Sequence, residues 1–115
     1  MIARVLAILS MLAALGVQAQ NYQGLWWKSP GGSEAGWGLN IAHQGDVLFV
    51  TWHTYEADGH ALWLTMSDAR PSSAGVYAGT LYQTKGLATN TGYWDDPPWA
   101  VTKPVGSGIL AFTSA

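Results

Sequence analysis

Cysteine is absent from this chain, and charged residues are scarce. Without cysteine, no disulfide can stabilise the fold and no lipid can be attached through a cysteine thiol. The five lysines and arginines occur singly along the chain, so the sequence offers no basic stripe. Because phosphate contacts dominate the affinity for nucleic acids, we predict that nucleic acid is not a partner.

A long apolar run occurs only at the N-terminus. Arg4 supplies one positive charge, residues 5–17 carry none, and the segment closes on Ala19, the kind of small residue that signal peptidases read. The run is too short for a membrane anchor, since spanning hydrocarbon takes roughly 20 apolar residues. We predict a signal peptide over 1–19 and an exported β domain over 20–115, in the periplasm or outside the cell, without a membrane span.

The predicted mature part is rich in aromatic residues and carries little charge. All seven tryptophans and all five tyrosines lie within it, and each one that is buried removes about 150–250 Å² from water. Without Arg4, four scattered positive charges stand against seven acidic residues. This balance favours a neutral ligand or an apolar partner over an anionic one.

Short alternating runs separated by Gly, Asp, Asn and Pro predict antiparallel strands, and no segment has sustained helical periodicity. We predict an all-β antiparallel meander that forms a small sandwich or a partly open barrel. The predicted strands cover residues 22–28, 36–43, 47–55, 61–67, 75–84 and 108–113. Residues 68–74 and 88–104 are predicted to be loops, the second long and irregular.

Turn chemistry predicts how the three central strands align. A two-residue loop at 44–45 pairs His43 with Asp46, Ile41 with Leu48, Leu39 with Val50 and Trp37 with Trp52. A three-residue loop at 57–59 pairs Thr54 with Leu62, Trp52 with Leu64 and Val50 with Met66. Both registers keep one face apolar, and a shift by one residue would destroy that pattern.

The opposite face mixes aromatic side chains with hydrogen-bonding groups, and it is either a solvent face or a ligand face. On it, His53 is predicted opposite Trp63, and Asn40 opposite Phe49. Its residues are Asn40, Phe49, Thr51, His53, Tyr55, Trp63 and Thr65.

Seven spaced motifs between residues 24 and 64 carry a family resemblance. They are GLWW at 24–27, EAGWGLN at 34–40, QGD at 44–46, Phe49, TY at 54–55, DG at 58–59 and LWL at 62–64. This order resembles a Trp-rich repeat of secreted proteobacterial proteins, with the pattern G-x-W-W-N-P-x-E-S-G-W-G, a Q-G turn, then T-Y-D-x-x-G-x-P-x-W. The resemblance implies a secreted β module and assigns no catalytic residue.

The sequence departs from that pattern in the loop after the first motif and at the C-terminal end. Lys28 stands where the family has Asn, residues 30–33 lengthen the loop, and Ala35 replaces Ser. Family members continue with another hairpin, so the resemblance implies a chain that is short at its C-terminus. The chain is then either a truncated member of the family or one whose missing edge is supplied by another chain.

Sites for metal ions and for catalysis are weakly indicated. His43 and His53 lie near opposite ends of their hairpin, too far apart to share an ion at a rise of about 3.3 Å per residue. His60 approaches Glu56 only across its turn. The G-x-S-x-G motif is absent, and Glu34 reaches the acidic pair 95–96 only if two loops meet. We predict no metal, no cofactor and no catalytic residue.

Aromatic side chains supply the leading functional hypothesis, because neutral sugars bind flat rings that are flanked by amides and hydroxyls. The simpler alternative for each Trp is to fill the core. We predict a noncatalytic module that binds a cell-surface glycan or an envelope protein. The alternatives are an assembly domain that pairs through an open sheet edge, as a homo-oligomer or with another chain, and a hydrolase. The candidate ligand-binding residues are Asn40, His53, Tyr55, Trp63, Trp94 and Trp99.

Overall fold

The computed structural model describes residues 20–88 and 100–113, which form one antiparallel sheet of six strands. The order of the strands in space is their order in the chain, so the predicted all-β meander is confirmed. The described residues include no helix, and hence none able to cross a membrane. The predicted signal peptide lies outside them. The strands are β1 (Gly24–Trp26), β2 (Gly38–Gln44), β3 (Val47–Tyr55), β4 (Ala61–Ser73), β5 (Val76–Gly86) and β6 (Ala100–Ala111).

The core lies on one face of the sheet, where alternate residues of neighbouring strands meet. Leu48 at its centre has no exposed surface. Alternation explains the arrangement, since every second side chain of a strand points to the same face. The other buried members are Ile41, Val50, Met66, Ala69 and Tyr77, with Tyr22, Leu39, Leu81, Leu110 and Phe112 packed against them.

The register between β2 and β3 differs from the prediction by two residues. Gln44 pairs with Val47, so the turn is Gly45-Asp46 and not Gln44-Gly45. Gly45 alone in this turn has positive φ (60°), as a type II′ turn requires at its first central position. The observed pairs are therefore His43 with Leu48, Ile41 with Val50, Leu39 with Trp52, and Asn40 with Thr51 in place of Phe49.

The register between β3 and β4 confirms the prediction. Trp52 pairs with Leu64, and His53 pairs with Trp63. The loop at 57–59 closes with a hydrogen bond from the Glu56 N–H to the His60 carbonyl (2.8 Å), and Gly59 has φ 89°. The two central hairpins thus place the predicted apolar and mixed faces on opposite sides of the sheet.

Two strands extend well beyond their predicted bounds, and both extensions contain proline. The predicted loop at 68–74 is wrong, because β4 continues through Pro71 to Ser73. The pairing of β4 with β3 ends at Ala69. Pro71 lies beyond that point, where no residue of β3 needs a hydrogen bond from a backbone N–H that proline lacks. Residues 100–104 are likewise strand and not loop. There Pro104 lies on the edge strand β6, beside a register irregularity.

The sheet is not closed into a barrel, and β1 and β6 are its two edges. Side chains nevertheless connect the two edges. The ring of Tyr22, just before β1, stacks on the ring of Phe112, just after β6, with centroids 3.8 Å apart. Trp26 meets Phe112 edge-on at 5.5 Å. We call this junction the seam; it joins the two ends of the described chain without strand pairing.

Candidate functional site

The mixed face of β2, β3 and β4 gathers the predicted residues of the sheet, and we call it the outer face. One row across it runs from Gly38 through His53 to Trp63. Glycine has no side chain, so no side chain of β2 lies opposite His53 in this row. The next row runs through Asn40, Thr51 and Thr65. The Cβ atoms of directly opposed residues in such a row are about 4.5–5.5 Å apart, so one ligand can contact two neighbouring side chains of the row.

Aromatic rings are exposed on the outer face. Trp63 is 51% exposed, Tyr55 50% and Phe49 45%. Single exposed apolar residues are normal on protein surfaces, whereas several on one face mark a binding surface. A groove of about 530 Å³ lies beside Phe49, lined also by Ala42, Val47 and Ser67 among others. The outer face therefore has both an aromatic surface and an adjoining depression.

Charge is confined to the margins of the outer face. Neither β2 nor β3 contains an aspartate, glutamate, lysine or arginine. The charged side chains of β4, Asp68 and Arg70, form an exposed ion pair at 2.8 Å. The centre of the face thus offers amide, hydroxyl and imidazole groups without a fixed charge, which suits an uncharged ligand.

Tyr55 has a structural role that the sequence did not reveal. Its hydroxyl donates a hydrogen bond to the Ala35 carbonyl at 3.0 Å. Gly36, with φ 83°, lies so close that a Cβ there would overlap the Tyr55 hydroxyl. Tyr55 therefore holds the loop before β2, and its ring remains the part that a ligand can contact.

Other predicted residues are dispersed or lie outside the described part. Trp94 and Trp99 fall outside it, as do Asp95 and Asp96. Glu34, considered as a catalytic carboxylate, forms an exposed ion pair with Lys28 at 2.5 Å.

The three histidines do not converge. His43 accepts a hydrogen bond at Nδ1 from the Tyr22 N–H (3.0 Å), and its Nε2 lies 2.8 Å from the Gly45 carbonyl. His60 bonds Asp58, whereas His53 lies on the outer face. Within residues 20–88 and 100–113, no three His, Asp or Glu side chains gather as a metal ion would require.

The turn between β3 and β4 is held by Asp58. Its carboxylate accepts hydrogen bonds from the backbone N–H of His60 (3.1 Å) and from the His60 Nδ1 (2.9 Å). These hydrogen bonds hold the pKa of Asp58 below its ordinary 3.8, and the one from the backbone N–H has the larger effect.

Acid should remove the contribution of Asp58 to stability. A carboxyl with a lowered folded-state pKa stabilises the fold above its unfolded pKa and loses this effect as the pH falls through the folded value. We expect Asp58→Asn to melt slightly below wild type at about pH 7. The two melting curves, followed by circular dichroism, should merge in acid below the ordinary pKa of 3.8. A difference that persists to about pH 2 would contradict this assignment.

The seam contains a groove that sequence reasoning missed. Its volume is about 340 Å³, within the usual range for ligand pockets of about 300–1,000 Å³. The sequence signal for this groove was an aromatic residue beside each end of the sheet, Tyr22 shortly before β1 and Phe112 directly after β6. The groove is lined by Gln20, Asn21, Tyr22, Trp26, Leu39, Ile41, Leu110, Ala111, Phe112 and Thr113.

Comparisons with known proteins add no relative to this picture: no family model, curated protein or solved structure matches the chain. Function must therefore be inferred from the outer face, the seam and the edges of the sheet.

Proposed function

We propose that the outer face binds a neutral glycan of the cell envelope, and that the chain is a noncatalytic module exported by residues 1–19. The observation that carries the proposal is the row of Gly38, His53 and Trp63, in which a half-exposed indole lies beside an exposed imidazole that has no side chain opposite it on β2.

The chemistry of this row suits a sugar ring. A pyranose has one face made mostly of C–H groups, and such a face packs on a flat aromatic ring with loss of apolar surface. Its hydroxyls need hydrogen-bond partners once they leave water. Asn40, Thr51 and Thr65 supply such groups in the adjoining row.

The absence of charge from the centre of the face supports a neutral ligand and a noncatalytic role. Glycoside hydrolysis by the usual route needs two carboxyl groups about 5–9.5 Å apart across the substrate. Strands β2 and β3 contain no carboxylate, and Asp68 on β4 is engaged with Arg70. Binding without bond cleavage is the activity that this part of the sheet supports.

Trp63→Ala tests the proposal. Titration of the full chain with neutral glucan and chitin oligosaccharides, followed by tryptophan fluorescence, should show at least a tenfold loss of affinity, equivalent to about 1.4 kcal/mol. Because about half of the Trp63 side chain is buried, the change should also lower stability, by about 1–3 kcal/mol.

Two controls separate recognition from folding. Trp63→Phe keeps a flat ring and should retain more affinity than Trp63→Ala. Val101→Ala alters an exposed residue on the distant strand β6 and should bind like wild type. The proposal fails if wild type binds none of these oligosaccharides, or if Trp63→Ala binds them equally well. If the wild type binds an envelope protein and none of the oligosaccharides, that protein and not a glycan is the partner.

A further inference from the structure

The two edges of the sheet differ in how their backbone groups are protected. At the first edge, β1 has three residues, and the chain just before it is capped by side chains. The Tyr22 N–H bonds His43 Nδ1 (3.0 Å), and the Gln23 N–H bonds Asn21 Oδ1 (2.9 Å). At the second edge, β6 has twelve residues and pairs only with β5 among the described strands. A long unpaired edge of this kind is a template for another strand.

Protection along β6 is uneven. Its first half contains Lys103, Pro104 and an irregularity at Val105, all features that discourage strand addition. Residues 106–111, with the sequence GSGILA, have no charge, no proline and an unbroken register with β5. Ile109 in this half is 73% exposed. The second half of β6 therefore invites pairing, and the first half limits how far pairing can extend.

We propose that residues 105–109 pair antiparallel with the same residues of a second copy of this chain, about a two-fold axis at Ser107. Such an interface is self-complementary and closes as a dimer, because each copy offers the same segment. The two six-stranded sheets then form one continuous sheet, and both exposed β6 edges are removed.

The side chains of β6 favour a second copy as the occupant. Ile109 pairs with Ala78, while the next residue, Leu110, pairs with the buried Tyr77, so Ile109 is on the side away from the core. Val105, four residues earlier, is also exposed. With Ser107 on the axis, Val105 lies opposite the partner's Ile109, so an exposed apolar residue of each copy meets one of the other.

Charge agrees with the same register. Lys103 is the one charged residue of β6. In the two-fold arrangement it lies opposite the partner's Ala111, so no like charges meet across the interface. Gly106, Ser107 and Gly108 at the centre are small, and a Cβ at Gly106 would meet no atom within 4 Å. Glycine in a strand permits a second backbone to approach closely.

The absence of native cysteine allows a direct test by Ser107→Cys. Opposed residues of antiparallel strands have Cα atoms about 4.5–5.5 Å apart, within the range of about 4.4–6.8 Å that a disulfide spans. Under mild oxidation of the full chain, we expect rapid formation of a disulfide-linked dimer. The matched control, Ser67→Cys, places an exposed cysteine on the interior strand β4 and should cross-link at least tenfold more slowly.

A second measurement does not depend on cysteine. Sedimentation velocity of wild type should show a concentration-dependent dimer. Ile109→Asp, which brings a charge against the partner's Val105, should weaken dimerisation at least tenfold while the near-ultraviolet circular dichroism remains that of wild type. A wild type that stays monomeric at high concentration overturns the proposal. The proposal is also overturned if Ile109→Asp leaves the dimer intact and Ser107→Cys cross-links no faster than the control. It is overturned as well if the chain pairs only with a different protein.

Discussion

Leu48→Ala is expected to lower the free energy of unfolding by about 2–5 kcal/mol, the usual range for a buried leucine truncated to alanine. Leu48 is fully buried at the centre of the core, between His43 on β2 and Ala69 on β4. Both adjacent strands enclose this position, so the cavity cannot collapse without moving the sheet. A domain of this size has a total stability of about 5–15 kcal/mol, so the loss is a large fraction.

Chemical denaturation followed by far-ultraviolet circular dichroism measures this effect. Leu25→Ala is the matched control, because Leu25 is strongly exposed on β1 and its truncation should change stability by no more than about 0.5 kcal/mol. Equal denaturation midpoints for the two variants would show that the core is not centred on Leu48.

The division of the sheet into two faces was predictable from sequence, whereas one of the registers was not. Residues of β2 and β3 alternate strictly, so their inward and outward positions follow from a period of two. A shift of two residues preserves that alternation, and both the predicted pair of Ile41 with Leu48 and the observed pair with Val50 bury the same side chains. Only the turn separates the two registers. Gly45, the residue with positive φ, is the first of the two turn residues in the observed register and the second in the predicted one.

Strand extents were misjudged where proline was read as a strand breaker. Pro71 and Pro104 both lie in strands, at positions that do not have two regular neighbours. Whether a position has a second neighbour depends on the whole sheet, and a local sequence window does not contain that information.

The candidate site was predicted in part. The pairing of His53 with Trp63 followed from a loop of three residues with glycine last, a local signal. The contact of Tyr22 with Phe112 joins residues at opposite ends of the described chain, and no local pattern announces it. The hydrogen bond of Tyr55 to Ala35 depends on where the loop between β1 and β2 lies, which composition does not specify.

Gly36→Ala is expected to lower the free energy of unfolding by about 2–3 kcal/mol, for two separable reasons. Gly36 has φ 83°, and an L-residue with a side chain in this region costs about 1–2 kcal/mol. The added methyl would also overlap the Tyr55 hydroxyl and displace it from the Ala35 carbonyl. The loss of that hydrogen bond adds about 0.5–1.5 kcal/mol.

Gly32→Ala isolates the first reason. Gly32 has nearly the same φ, 81°, but no atom lies within 4 Å of a Cβ placed there, so its substitution should report backbone strain alone. In a Tyr55→Ala background the second reason disappears, and Gly36→Ala should then cost no more than Gly32→Ala. The double-mutant cycle, measured by denaturation, should therefore give a coupling of about 1 kcal/mol between positions 36 and 55. Additive effects would mean that Tyr55 does not hold this loop. A coupling of the expected size would mean that the loop before β2 fixes the position of the Tyr55 ring on the outer face.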